Sequence, residues 1–148
     1  MQIKVGIGIL VLNERKVLLG KRKNSHGEGT WGFPGGHLEF GETVTACTTR
    51  ELEEETGLLA KTVIEGPWRE VLYPKENKHH LSLFTFVSEF SGNLENKEPH
   101  KTENWQWFDV ASLPSPVFEP IKKISTENSL ELFLEENFNV DPRFGSML

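Results

Sequence analysis

Residues 5–12 are almost wholly apolar, Asn13-Glu14-Arg15-Lys16 interrupts them, and Val17-Leu18-Leu19 resumes the run. Two apolar stretches parted by turn-forming residues predict a pair of strands closed as a hairpin. Lys21-Arg22-Lys23 ends the second stretch and leads into a polar, glycine-containing loop at 24–29. Such loops often border sites. Trp31-Gly32-Phe33-Pro34-Gly35-Gly36 then combines large aromatics with residues of unusual backbone freedom. From 43 to 56 the chain is helix-competent, with Gly57 as its stop. Further strands are predicted at 63–64, 68–73, 81–90 and 105–108, with breaks at Gly66-Pro67 and Ser91-Gly92-Asn93. The tail from 117 to 138 reads as mainly helical, interrupted at Pro120 and again around 125–128. There is no internal repeat and no low-complexity linker. Mixed strands with two or three helices predict an α/β or α+β fold in which helices cover a central sheet.

The length of 148 residues predicts a single domain, 1–148. Sixteen Lys and Arg against 22 Asp and Glu give a net charge of −6, which argues against a broad nucleic-acid-binding face. An anionic ligand therefore needs local help. No run approaches the roughly 20 apolar residues of a membrane span. Cys47 is the single cysteine, and no basic-then-apolar leader pattern opens the chain, so a reducing, cytoplasmic setting is expected. At Cys47 itself the expected role is packing against the sheet.

Chemistry concentrates in Arg50-Glu51-Leu52-Glu53-Glu54-Glu55. At about 100° per helical residue, Glu51, Glu54 and Glu55 share one face and Glu53 points away. Three neighbouring anions repel one another and attract a hard divalent ion, so Mg²⁺, with Mn²⁺ as a substitute, is the implied ligand. A solvated acidic helix face is the plainer alternative.

The wider pattern decides between these. Gly36, five residues, Glu42, seven residues, Arg50-Glu51-Leu52, one residue, Glu54-Glu55, one residue and Gly57-Leu58 specify nine positions over residues 36–58. This segment resembles the Nudix box. Leu18-Leu19-Gly20-Lys21-Arg22-Lys23, the run Phe33 to Glu42, and Trp105 with Trp107 extend the likeness to a MutT-like subgroup of nucleoside triphosphate pyrophosphohydrolases. The resemblance implies a Nudix-type α/β/α sandwich with a central mixed β-sheet, a loop-helix-loop catalytic motif, and hydrolysis of a nucleoside diphosphate linked to another group. Glu51, Glu54 and Glu55 match the metal-binding and water-activating carboxylates, and the Gly35 carbonyl matches a backbone ligand. Glu54 is the chosen base. Arg50, carried with it as a catalytic-site residue, and Glu42 match a supporting pair. Glu98 and Glu103 are the later-loop candidates, and Glu103 is taken as the extra metal ligand.

For the substrate, the resemblance assigns Arg22 to phosphate or ribose, Gly36 to the site, Phe118 to base stacking and Ile121 to an apolar wall. It aligns Ser82 with a polar pocket residue, against a plain reading as an exposed strand serine. Glu119 stands where relatives often carry Trp. His79-His80 lacks a third zinc-type ligand nearby and is read as strand-end surface. The expected activity is cleavage of modified or oxidised nucleoside triphosphates, such as 8-oxo-dGTP, to monophosphate and pyrophosphate. Alternatives are ADP-ribose, NADH or dihydroneopterin triphosphate as substrate, or a non-catalytic nucleotide sensor. A homodimer is suggested only by the resemblance; no stable nucleic-acid or membrane partner is expected.

Overall fold

The computed structural model describes residues 2–138. The expected hairpin forms from β1 (Ile3–Asn13) and β2 (Lys16–Arg22), turning at Glu14, whose φ is 57°. Two short strands follow, β3 (Trp31–Gly32) and β4 (Gly35–His37), and then α1 (Val44–Thr56). Next come β5 (Leu59–Ala60), β6 (Ile64–Tyr73), β7 (Lys78–Val87), β8 (Phe90–Ser91) and β9 (Thr102–Asp109). Helices α2 (Glu119–Glu127) and α3 (Leu130–Asn137) close the described chain. The main sheet runs β3-β2-β1-β7-β6, with β4 also against β1 and β9 against β2; β1 and β7 pair in parallel from Ile3–His79 to Val11–Val87. The sheet is therefore mixed.

The unbroken apolar run of β1 follows from burial on both faces. Leu10 and Leu12 join Phe84, Phe86, Ile121, Ile124 and Phe133 in one core under α2 and α3. Ile7, Ile9 and Val11 join Leu18, Cys47 and Leu52 in the other, under α1. Alternation along one strand thus feeds two cores, and helices on both sides make an α/β/α sandwich.

Helix α1 starts where Thr43 accepts a hydrogen bond from the Ala46 amide at 3.0 Å, and stops where Gly57 takes a left-handed φ of 76°. Its buried stripe is Cys47, Thr48, Leu52 and Thr56. The Thr48 hydroxyl meets that of Thr85 at 3.0 Å, tying helix to sheet without an unsatisfied hydroxyl. With that stripe on the sheet, the glutamates are turned outward and sideways.

Three boundaries differ from expectation. Gly66-Pro67 does not end a strand: β6 passes through it with a register shift between Glu65 and Trp68, which accommodates a residue that has no N–H to donate. The predicted 81–90 strand stops at Val87, and β8 instead pairs with β5 in a separate ribbon. Pro120 lies in the first turn of α2, where its missing N–H breaks nothing. The real break in the tail is Asn128, extended at φ −162°, after which Ser129 caps α3. Among the described residues, no helix is long and apolar enough to cross a membrane.

Candidate active site

A cleft of about 760 Å³ opens between β1, β4, β7, α1 and the start of α2. Its acidic end is set by Glu51 and Glu55, one helical turn apart on α1, facing Gly35 and Gly36 of β4. The Gly35 amide donates to Glu55 Oε1 at 2.8 Å. Burial pushes the Glu55 carboxyl up to about 8, the Gly35 amide opposes this, and the charges of Glu51 and Glu98 add to it. Burial also raises Glu51, against the pull of Arg50. Both glycines keep open space that a side chain would fill. A Cβ on Gly35 would strike the Ile7 carbonyl, and one on Gly36 would strike the Glu51 carboxylate.

Arg50 braces this end. Its Nε and Nη2 donate to the two oxygens of Glu42 at 2.6 and 3.0 Å, and Nη1 donates to Glu51 at 2.8 Å and Glu54 at 3.4 Å. The fork holds the Glu42 carboxyl down at about 2, chiefly through the hydrogen bonds. Cys47 lies fully buried beneath, and burial pushes its thiol up to about 12, which leaves it inert as a nucleophile.

Aromatic rings form the other end. Phe118, at the N-cap of α2, lies 3.8 Å from the Arg22 guanidinium carbon and stacks near Tyr73 at 5.8 Å. Arg22 Nε donates to the His26 carbonyl at 3.1 Å, and Gly27 leaves the space that the Phe118 ring fills. His26 packs edge-on against Tyr73 at 4.8 Å, and His80 against both Tyr73 at 5.2 Å and His37 at 5.3 Å. Burial lowers the pKa of His26 to about 4 and lowers those of His37 and His80 as well, so these rings are uncharged at neutral pH.

Known proteins give this arrangement a family. The NUDIX domain family matches residues 2–128. The chain belongs to it. Nudix relatives include the ADP-ribose pyrophosphatase of Methanocaldococcus jannaschii, 32% identical over 125 residues that cover 81% of this chain and 70% of that protein. The oxidized purine nucleoside triphosphate hydrolase of Danio rerio is 30% identical over 120 residues, 72% of this chain and 66% of its own length. A MutT Nudix hydrolase structure from Burkholderia pseudomallei superposes with a TM-score of 0.78 at 29% identity, covering 88% of this chain and 98% of that one. The protein is thus a Nudix hydrolase with MutT-like relatives, an enzyme acting on phosphorus anhydride bonds.

Not every expected residue reaches the Nudix cleft. Glu51, Glu55, Gly35, Gly36, Arg22, Ser82, Phe118 and Ile121 line it. Glu54 stays on the shoulder, half exposed and paired with Arg50. Glu103 is held outside, 3.7 Å from Lys21 on the neighbouring strand; the later-loop carboxylate that acts on both Glu51 and Glu55 is Glu98. Ser82 is only 5% exposed and His80 only 8%, so the exposed-serine and surface-histidine readings are corrected. Both point inward because alternate positions of β7 share the face that carries Phe84. His79, one residue off that register, is partly exposed and pairs with Glu70 at 2.7 Å. Ile121, 1% exposed, belongs to the core as much as to the wall. His26, His37, Tyr73 and His80 were not foreseen; the inward alternation of β7 was a legible signal for His80, whereas Tyr73 had none.

Among the described residues, no three His, Cys, Asp or Glu side chains gather closely enough to hold an ion alone. The donor set nevertheless suits a hard cation, because Glu51, Glu55 and Glu98 offer only oxygens, and burial together with the nearby charge of Glu98 raises the proton affinity of both Glu51 and Glu55.

Proposed function

We propose that the protein is a divalent-cation-dependent nucleoside triphosphate pyrophosphohydrolase, releasing a nucleoside monophosphate and pyrophosphate, with modified or oxidised nucleotides such as 8-oxo-dGTP among its substrates. The observation that carries this reading is a single cleft with buried carboxylates at one end and uncharged aromatic and imidazole rings at the other. A polyphosphate suits the first end once a cation is present, and a base suits the second.

Glu51 and Glu55 would hold the ion, with the Gly35 carbonyl and Glu98 as further oxygen donors. When bound, Mg²⁺ or Mn²⁺ supplies charge neutralisation of the polyphosphate and acidification of water. Glu54 takes the proton of the attacking water, poised at the cleft shoulder by Arg50. Arg50 and Glu42 keep the α1 carboxylates in place. Arg22 lies between the two ends, its guanidinium laid on Phe118, and orients the ribose or the phosphate next to it.

ADP-ribose is the second reading, favoured by the archaeal relative named for that substrate. A panel of nucleoside triphosphates, ADP-ribose and NADH, assayed for released pyrophosphate or phosphate, decides between them. Excess EDTA should abolish turnover and added Mg²⁺ restore it; full activity in EDTA overturns the cation assignment.

A further inference from the structure

Among the described residues, two basic side chains other than histidine line the cleft, Arg22 and Lys101. They differ in how firmly they are held. Arg22 lies on the Phe118 ring at 3.8 Å, and donates through Nε to the His26 carbonyl at 3.1 Å and through Nη2 to the Ser25 hydroxyl at 3.4 Å. Lys101 Nζ instead faces Glu98 Oε1 across 3.7 Å, too far for a hydrogen bond. The Lys101 side chain is 60% exposed and that of Glu98 only 27%, so the carboxylate is enclosed and the ammonium stands at the edge of solvent. An ion pair of that kind contributes little stability and is readily exchanged.

The backbone beneath this pair is fixed. The amides of Lys101 and Thr102 both donate to the Glu98 carbonyl, at 2.9 and 3.2 Å. The Lys101 carbonyl accepts from the Lys23 amide at 2.9 Å, and the Asn24 side chain donates to the His100 carbonyl at 3.0 Å. On the other side, the amides of Glu95 and Lys97 donate to the carbonyls of Thr56 and Glu55 at the end of α1, at 2.9 and 3.2 Å. The turn that carries Glu98 and Lys101 is thus clamped between the end of β2 and the C-terminus of α1. What stays free is the lysine stem, four carbons long with three donors at its tip. Its charge also acts on Glu55, against the effect of burial.

We infer that Lys101 is the exchangeable cation of the site: it neutralises Glu98 until a divalent ion takes that carboxylate, and its ammonium then binds the terminal phosphate of the substrate. Two positive charges cannot share one enclosed carboxylate without strong repulsion. The polyphosphate is the next anion within the cleft. This rests on the divalent-cation and nucleotide reading above and narrows its substrate class. A terminal phosphate carries charge and free oxygens that a phosphate esterified at both ends, as in ADP-ribose, lacks. Lys101 therefore favours a nucleoside triphosphate over a nucleoside diphosphate joined to a second group.

The test is binding to the full chain, without turnover. Mn²⁺ alone is titrated by electron paramagnetic resonance, and the α,β-methylene analogues of ATP and ADP-ribose are titrated by calorimetry at saturating Mn²⁺. Lys101→Met keeps the stem and removes the charge. Mn²⁺ should bind this variant about 2–5-fold more tightly, because a competing exposed cation is gone. The ATP analogue should bind at least about tenfold more weakly, the scale of a hydrogen bond to a charged group, and the ADP-ribose analogue should be nearly unchanged. These opposite shifts are not what a structural lesion gives. Lys97→Met removes the same charge from the same loop outside the cleft lining, and should move none of the three affinities. Mn²⁺ affinity in Lys101→Met that is unchanged or weaker, equal losses for the two analogues, no binding of the ATP analogue by the wild type, or equal shifts in Lys97→Met overturns the exchange. A wild type that binds no Mn²⁺ overturns the cation reading itself, which the nucleotide panel checks separately through product release.

Discussion

Arg50 grips Glu42 with both arms of its guanidinium, at 2.6 and 3.0 Å, and so ties the loop before α1 to the helix's second turn. The same group reaches Glu51 and Glu54, which makes it the hub on which the carboxylates are set. Arg50→Lys keeps the charge and loses the planar fork, and kcat should fall roughly 10–100-fold, as when the support of a ligand set is removed. The Glu42 carboxyl is held at about 2 against an ordinary value of 4.5. A depressed acid stabilises the fold above 4.5 and loses that contribution as pH falls towards 2. Melting temperature followed from pH 5 to 2 should show this limb in the wild type and a flatter one in Glu42→Gln.

Adjacent glycines should respond differently to the same methyl group. At Gly35 an added Cβ meets the Ile7 backbone, which cannot step aside, so Gly35→Ala should lower the melting temperature sharply. At Gly36 it meets the Glu51 carboxylate, so Gly36→Ala should cost turnover far more than stability. Thermal melts and kcat measured on both variants check this; an unchanged kcat in folded Gly36→Ala contradicts it.

Glu54→Gln preserves size and removes the proton acceptor, and kcat should fall by at least about 10²-fold. Glu53→Gln, exposed on another side of α1, should change little. Equal losses in the two variants would show that their positions on the helix do not separate their roles.

Acid should weaken the aromatic end before it reaches Glu42. His26 titrates at about 4 in the folded protein against 6.5 for an unperturbed ring, and His37 and His80 shift in the same direction. Between these values the unfolded chain binds more protons, so stability is full above 6.5 and falls as pH drops towards 4. His26→Phe should flatten the melting temperature over that window, and an unaltered slope would count against a buried uncharged His26.

Local order was legible in the chain itself. Apolar runs on either side of Asn13 to Lys16 specify the hairpin, and Thr43 and Gly57 bracket α1 because caps act through bonds only three or four residues long. The spacing of Glu51 and Glu55 places them one helical turn apart whatever surrounds the helix. Which carboxylate joins them was a tertiary decision. Glu98 and Glu103 lie in the same stretch, but strand pairing sets Glu103 beside Lys21 and leaves Glu98 near the α1 pair. Likewise, docking of α1 through Cys47 and Leu52 turned Glu54 to the shoulder and Glu55 inward, a rotation that helical periodicity alone does not set. The aromatic end draws on the 24–29 loop, β6, β7 and α2, segments separated by tens of residues. No local pattern encodes their meeting. It follows from the parallel pairing of β1 with β7, which brings Ser82 beside Gly6, and from the packing of α2, which sets Phe118 against Arg22.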